Sequence, residues 1–355
     1  MSGNGEAEYL RRQRLRIILP IVLLIPTIAI AVYSISVEQY KFTFEEAMSI
    51  IERRFNDTLS DDYHDYLLNL LVFEGTFPRA VGGVIIGSIL AISGAMMQYV
   101  IRNPLADSYT TGISSGALFG VTIFIVLDVS VIGIAGETGQ MVNALLFSLI
   151  PCGIMILFSM RKKTTTTMMV LVGIATMYIF SAATMILKYN AEDYEIQQIY
   201  QWSLGSLFKI GWSSIPYLAV TLLVLFLFAM AMSSKIDVLS SGDNSSISLG
   251  VNPFILRLLC MVVASLCTAV AVCFSGTIGF VGLIIPHLAR IIVGSKSKLL
   301  IPCSAVLGGL LLITADSIAR VCGSSSLPVG VLTALIGTPL FLFFLLKMRG
   351  SAWGK

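Results

Sequence analysis

The sequence is poor in charged residues. Only 12% of its 355 residues are Asp, Glu, Lys or Arg, whereas 56% are hydrophobic and the mean hydropathy is +0.88. So much apolar surface cannot be buried inside a soluble domain of this length. The composition therefore excludes a soluble globular protein and predicts a polytopic membrane protein surrounded by lipid.

The chain also lacks the patterns of common cofactor and metal sites. It has no GxxxxGK[ST] phosphate-binding loop, so we do not expect it to bind ATP. Its six cysteines occur singly, without CxxC pairs or Cys/His clusters, and it has only two histidines. We expect no metal and no cofactor. The net charge of +3 comes mostly from short loops, so nucleic-acid binding is not expected.

Ionisable residues are scarce within the apolar segments, which argues against an enzyme. An intramembrane active site would need paired acids, or a nucleophile and a base, within helices. Asp316 is the main acid near a membrane segment, and it precedes Arg320 by four residues, a spacing that favours an ion pair on one helix face. We therefore predict a non-catalytic protein.

Apolar windows long enough to cross the bilayer recur along the whole chain. A crossing helix needs about 20 residues, and most windows fit one helix each: 17–37, 80–101, 108–127, 138–160, 164–187, 210–234, 299–315 and a last one ending at Leu346. The window 258–289 is too long for one helix, and the SGTIGFVG in its middle favours a chain reversal. Splitting it there predicts an all-α protein with ten transmembrane helices and a retained first helix.

The distribution of Lys and Arg supports this count. With ten helices and both termini cytoplasmic, 16 of the 23 basic residues fall on the cytoplasmic side, as the positive-inside rule requires. Nine helices would leave Arg290, Lys296, Lys298 and the basic C-terminus outside. We predict one transmembrane domain over residues 1–355, in the cytoplasmic membrane.

The longest predicted external segment is 38–76. Thr43 and Glu46 form a capping-box pattern, and Ala47, Ile50, Ile51 and Phe55 recur at helical spacing, which predicts an amphipathic helix. A second helix is predicted over 63–73, resting at the membrane interface. The segment is either an interfacial structure or a docking surface for an external partner.

On the cytoplasmic side, the segment 235–253 has the pattern of a compact helical loop. Ser241, Asp243 and Asn244 can cap a short helix, Gly250 can end it and Pro253 prevents its continuation. Pattern alone leaves two interpretations open, a coupling element and a solvated connector.

Two Gly- and Pro-bearing segments, 77–120 and 275–294, interrupt the apolar sequence. Gly83 with Gly87 and Gly112 with Gly116 have GxxxG spacing, which lets helix backbones approach closely in a bilayer. Pro104 and Pro286 are expected to end or bend helices. The residues that could line a polar path or let helices pack closely are Ser93, Met97, Gln98, Asn103, Pro104, Thr167, Met168, Gly276, Gly279, Gly282 and Pro286.

Several runs in this order resemble the permease subunits of FecCD/BtuC-type ABC importers. They are PRAVGGVIIGSILAISGAMMQ, RNPLAD, TGISSGA, WSLGSL, GTIGFVGLIIPHLAR, TADSIAR and LPVGVLTALIGTPLFLFFLLK. The resemblance runs from the first helix to the last. It implies a BtuC-like fold, a homodimer around the path, two cytoplasmic ABC ATPase subunits and an extracytoplasmic substrate-binding protein.

The resemblance also implies two contact sites. It places the ATPase coupling loop at 235–253, with Leu249 and Val251 as apolar anchors among Ser240, Ser241, Gly242, Asp243, Asn244 and Gly250. It places binding-protein docking at Arg79 and Arg320. Where the family often has a second basic residue, this chain has Thr76, and Arg53 or Arg54 are candidates to replace it.

The predicted function is therefore import of an iron-siderophore or similar metal chelate, driven by ATP hydrolysis in partner subunits. The same kind of importer carrying cobalamin, haem or molybdate is the alternative, since these motifs identify the family and not the substrate. An ion-coupled transporter or channel is more distant, because it needs ionisable residues at mid-membrane and the helices have almost none.

Overall fold

Helices account for nearly all the ordered backbone in this protein. The computed structural model describes residues 3–38, 42–59, 62–159, 166–322 and 326–348, and these contain no strand. The α-helices are α1 Gly3–Ser34, α2 Phe44–Phe55, α3 Tyr63–Leu68, α4 Phe77–Ile101, α5 Ile113–Leu127, α6 Gly136–Ser159, α7 Thr166–Tyr189, α8 Asp193–Ser203, α9 Ile215–Ser240, α10 Asp243–Ser248, α11 Pro253–Ser275, α12 Val281–Val293, α13 Ser297–Val321 and α14 Val329–Met348.

The number of membrane crossings depends on how the short helices are counted. Among the described residues, seven helical segments are long and apolar enough to span a bilayer, and three shorter apolar helices, α5, α12 and much of α14, accompany them. Together they match the ten predicted windows one for one. The all-α membrane fold is confirmed, whereas the count of ten holds only if the three shorter helices also cross.

Helix α4 lies at the centre of the bundle. It packs against α13, α9, α11 and α12, and nearly all of its residues from Pro78 to Ile101 are buried. A Cβ at Gly87 would overlap the backbone of Gly308 in α13, and one at Gly94 would overlap the backbone of Gly282 in α12. Because lipid supplies no hydrophobic drive for helix association, such close backbone contact is a main source of packing energy.

The predicted chain reversal is confirmed. Helix α11 ends at Ser275, Gly276 follows with φ +67°, and α12 begins at Val281. Of the two effects expected of Pro286, it does not end the helix, since it lies inside α12, which continues to Val293. Pro104 follows the end of α4, as predicted.

The segment before α4 is partly as predicted. The Thr43–Glu46 capping box begins α2, and Ala47 and Ile50 are buried, but Phe55 is 70% exposed. The predicted second helix is not a separate element, although Tyr63, Tyr66 and Leu70 are exposed, and its position at the membrane interface stays a prediction. It forms α3, continues through a π-helix over Asn69–Thr76 and joins α4, because no residue there breaks the helix.

Substituting Gly308 tests the close approach of α4 and α13. We expect Gly308→Ala to destabilise the protein by about 1–3 kcal/mol, because the methyl group would overlap the Gly87 carbonyl and force the helices apart. Gly153→Ala is the matched control, since no atom lies within 4 Å of its Cβ position. Thermal unfolding of detergent-solubilised protein measures both, and equal melting temperatures would contradict this packing.

Candidate functional site

The segment 235–253 forms a compact knob at one end of the bundle. Helix α9 continues to Ser240, and the chain turns at Gly242, whose φ of +119° favours glycine, into α10. The predicted side-chain cap is wrong. Gly242 occupies the N-cap position, no side chain caps α10, and Asp243 uses its carboxylate elsewhere.

Backbone and hydroxyl groups hold α10 in place. The buried Ser246 hydroxyl donates to the carbonyl of Gly242 at 2.7 Å. Gly250 follows the helix with φ +76°, and Pro253 is the first residue of α11, capped by the Asn252 side chain. The predicted role of Gly250 at the end of the short helix is confirmed, whereas Pro253 begins the next helix, five residues after α10 ends.

The apolar residues of the knob point in two directions. Leu249 is 66% exposed and Ile247, which sequence reasoning missed, is 64% exposed, whereas Val251 packs against the main core. Of the two predicted apolar anchors, only Leu249 therefore lies on the surface. Ile247 and Leu249 are two residues apart at the end of a six-residue helix. They therefore do not show the i, i+3, i+4 repeat by which an apolar helix face is recognised in a sequence.

Two arginines hold Asp243 of the knob. Arg257 in α11 donates to the two carboxylate oxygens at 2.9 and 2.6 Å, and Arg102, just after α4, also pairs with the carboxylate. The hydrogen bonds from Arg257 are the main reason that the pKa of Asp243 lies below its usual value. We call Asp243, Arg102 and Arg257 the Asp243 clamp. Sequence reasoning missed both arginines. Arg102 is 141 residues away from Asp243 in the chain, and Arg257 lies on a different helix, α11.

At the opposite end of α4, Arg79 and Arg320 are inside the protein. Arg79 is 5% exposed and Arg320 0% exposed, and both bind the fully buried Asp316. Nε and Nη2 of Arg79 lie 3.1 and 2.8 Å from Asp316 oxygens, and Nη2 of Arg320 lies 2.6 Å from Oδ2. The predicted pairing of Asp316 with Arg320 is confirmed.

The expected surface position of these arginines is wrong. A guanidinium in an apolar bundle is stable only when its charge and N–H groups have partners. Here the two guanidiniums share the Asp316 carboxylate, and Glu38 is a further acid near Arg320. Arg320 also donates to the carbonyls of Ser34 and Val37 at 2.8 and 3.0 Å. The cluster thus joins the ends of α1, α4 and α13, and docking by Arg79 and Arg320 stays a prediction.

The neighbouring candidates are differently placed. The Thr76 hydroxyl donates to the carbonyl of Ile35 at 2.7 Å, so this position also ties the helix to the end of α1. Arg53 pairs with Asp65 at 2.7 Å, whereas the guanidinium of the exposed Arg54 lies over the ring of Phe73. Of the two proposed substitutes, Arg54 has no carboxylate partner among the described salt bridges.

The predicted path residues do not form one surface in this chain. Ser93, Met97 and Gln98 are at most 3% exposed, and the Gln98 amide donates to the carbonyl of Leu283 in α12 at 3.0 Å. These three residues are therefore buried within the bundle around α4, and their place in a path or a dimer scaffold stays a prediction. Gly282 and Pro286 are buried on the α12 side of the same contact.

The remaining path candidates lie elsewhere. Thr167 and Met168 are exposed at the start of α7, and Asn103 accepts a hydrogen bond from the amide of Leu105 in the turn after α4. Gly276 and Gly279 lie in the turn between α11 and α12. In the described part of the chain, no group of three or more His, Cys, Asp or Glu could hold a metal ion.

The fold and composition define a multi-pass helical membrane protein, and comparison with known proteins identifies its family. The model of the FecCD transport family matches residues 24–347, so the chain belongs to this family. It is 35% identical over 278 residues to the hemin transport system permease protein of Yersinia pestis, covering 78% of this chain and 83% of that one.

Two further relatives extend the comparison. The cobalamin import system permease protein of Halobacterium salinarum is 37% identical over 276 residues, covering 77% of this chain and 73% of that one. A solved metal-chelate type ABC transporter in an inward-facing conformation superposes with a TM-score of 0.80 at 28% identity, covering 93% of this chain and 99% of that one. The protein is thus a permease subunit of an ABC importer.

Asp316→Asn tests the buried charge cluster. Without its carboxylate charge, two buried guanidiniums lose their counter-ion, and we expect a loss of about 3–5 kcal/mol of stability. Asp57→Asn, an exposed position outside the cluster, is the matched control. Thermal unfolding in detergent compares the two, and an unchanged melting temperature for Asp316→Asn would rule out the cluster as a structural element.

Proposed function

We propose that this protein is the membrane subunit of an importer in the cytoplasmic membrane, with both termini cytoplasmic. It works as a homodimer, receives a metal chelate from an extracytoplasmic binding protein and is driven by two ABC ATPase subunits. Family membership and the permease names of its relatives support the importer class. The ATPase subunits are needed because the chain has no phosphate-binding loop of its own.

The knob at α10 carries this proposal. It lies between the candidate spans α9 and α11, and Ile247 and Leu249 expose most of their apolar surface there. Exposed apolar side chains on a well-held element mark a protein contact. We therefore place the ATPase contact on Ile247 and Leu249, at the C-terminal end of α10.

The outer face is the proposed docking site of the binding protein. The cluster of Arg79, Asp316 and Arg320 fixes the ends of α1, α4 and α13, so it shapes this face even though its charges are internal. Helix α2, which packs on the π-helix before α4, carries exposed charges at Glu45, Glu52 and Arg54. Charges of this kind set docking orientation and association rate more than affinity.

We propose an iron-siderophore or similar metal chelate as the substrate. The relatives named for hemin and cobalamin, and the metal-chelate type transporter, all carry large ligands with a bound metal. Cobalamin, haem and molybdate are the alternatives. Purifying the protein with its native binding protein and identifying the bound ligand by mass spectrometry separates them.

An ion-coupled mechanism has less support. The ion pairs described within the bundle lie near its ends, where Asp316 meets Arg79 and Arg320, and Asp243 meets Arg102 and Arg257. An ion or proton relay would instead need such groups along the middle of the helices. Among the described residues, Met96 and Met97 in α4 are fully packed, and a single buried acid, Asp107, lies beside Gly282 at the level of Leu90, where a relay would need a series of such groups.

Uptake by proteoliposomes containing the complete transporter tests the importer proposal. We expect substrate uptake to require internal ATP and to persist when ionophores abolish ion gradients. Replacing ATP with a non-hydrolysable analogue is expected to stop it. Uptake that survives without ATP and fails with ionophores would establish the ion-coupled alternative.

Leu249→Asp tests the ATPase contact. We expect at least a tenfold loss of affinity for the ATPase subunits, because a charge replaces an apolar side chain at the contact. The matched control is Ile132→Asp, an equally apolar, 56% exposed side chain in the loop after α5. The affinity of each variant for the ATPase subunits is measured by co-purification and by titration. If the two variants bind the ATPase subunits equally well, Leu249 is not part of the interface.

A further inference from the structure

Three charged side chains meet where α10 joins the helix bundle. The Asp243 carboxylate receives two hydrogen bonds from the Arg257 guanidinium, and a third from Arg102. Nε of Arg257 donates to the carbonyl of Val100 in α4 at 3.1 Å. One planar guanidinium in α11 therefore contacts both α10 and the last turn of α4.

The geometry of the clamp fixes orientation as well as distance. Two parallel hydrogen bonds from one guanidinium allow only a narrow range of angles between the partners. The Arg257 side chain is 9% exposed, compared with 35% for Arg102 and 43% for Asp243. Because Arg257 is surrounded by the bundle, it cannot follow a moving Asp243 without moving α11 or the end of α4.

The backbone has a positive φ angle on both sides of the clamp, at Arg102 and at Gly242. Arg102 has left-handed backbone angles of φ 51° and ψ 36°, which a non-glycine residue adopts at a cost. Opposite it, Gly242 has φ +119°, and Nη1 of Arg102 lies 3.9 Å from the Cβ position of that glycine. Two uncommon conformations therefore bring the end of α4 against the start of α10.

The clamp joins elements that the chain itself does not join. The chain connects α10 to α9 through residues 241–242 and to α11 through residues 249–252. Helix α4 is more than 130 residues away in sequence from Asp243, and Arg102 connects the two directly. A displacement of α10 thus reaches the central helix through charge.

We infer that Asp243 is a positioning residue that couples movement of α10 to α4 and α11. This inference rests on the proposed function, in which the ATPase subunits move α10. Asp243 acts by holding Arg102 and Arg257 and not by contacting the ATPase. Losing its charge should therefore separate ATP hydrolysis from transport while the apolar contact at Ile247 and Leu249 persists.

The experiment measures substrate taken up per ATP hydrolysed by the complete transporter in proteoliposomes. For Asp243→Asn we expect this ratio to fall about tenfold, with ATPase-subunit affinity within about twofold of wild type. Asp243→Glu keeps the charge and should recover part of the ratio. Asp128→Asn is the control, an exposed left-handed position after α5 that tolerates asparagine.

Arg102→Gln provides a second variant, because it leaves the surface of the knob intact. We expect the same fall in uptake per ATP, and a double variant with Asp243→Asn should fall little further than either alone. If Asp243→Asn does not yield folded protein, the uptake per ATP of Arg102→Gln is used by itself to test the inference.

Two outcomes overturn the inference. One is an unchanged ratio in Arg102→Gln or in folded Asp243→Asn. The other is loss of ATPase-subunit binding in Asp243→Asn, which would place Asp243 in the contact itself. Failure of the proposed function is distinct from both, since the wild-type protein would then show no ATPase binding and no ATP-dependent uptake.

Discussion

The structure depends on the contact of α4 with the backbones of α12 and α13. In a bilayer, apolar side chains gain little by leaving lipid for protein, so helices associate through close packing and hydrogen bonds. Gly87 against Gly308 and Gly94 against Gly282 provide such packing at two levels of α4. The Gln98 amide adds a hydrogen bond to the carbonyl of Leu283 a turn further on. These contacts leave α4 almost no freedom to move relative to α12 and α13.

Ion pairs hold both ends of α4 in place. Arg79 in the first turn of α4 binds Asp316 of α13, and Arg102 just after its last turn binds Asp243 of the knob. Each arginine lies near a helix end, where partners from other elements can satisfy its N–H groups. With 25 residues, α4 is about 37 Å long. Its two ends therefore lie at opposite faces of the protein, and each end contacts the elements at that face.

The sequence was sufficient for the features that depend on local pattern. Apolar windows gave the helices, the Gly-rich SGTIGFVG gave the reversal at Gly276, and Thr43 with Glu46 gave the cap of α2. Asp316 and Arg320 were predictable because i, i+4 spacing places them on one helix face. These features require only residues within a few turns of one another.

The errors concern contacts between segments that are distant in sequence. Arg79 was expected on the surface because its neighbours do not show that Asp316, 237 residues away, neutralises it. Asp243 was expected to cap α10 because aspartate before a short helix usually does so, but two arginines on other elements compete for the same carboxylate. A charge-assisted, bidentate bond is stronger than a cap to a backbone amide.

A rigid central helix has a consequence for how such a protein can move. Because α4 is packed against α12 and α13 along its length, a force applied at Arg102 cannot be absorbed by bending α4 alone. It must shift α4 together with its neighbours. Arg79 connects α4 to Asp316, and Asp316 in turn binds Arg320, which donates to the Ser34 carbonyl at the end of α1. Packed helices slide or rotate as units and do not deform continuously. The same contacts that stabilise the bundle therefore make it able to transmit a displacement from one face to the other.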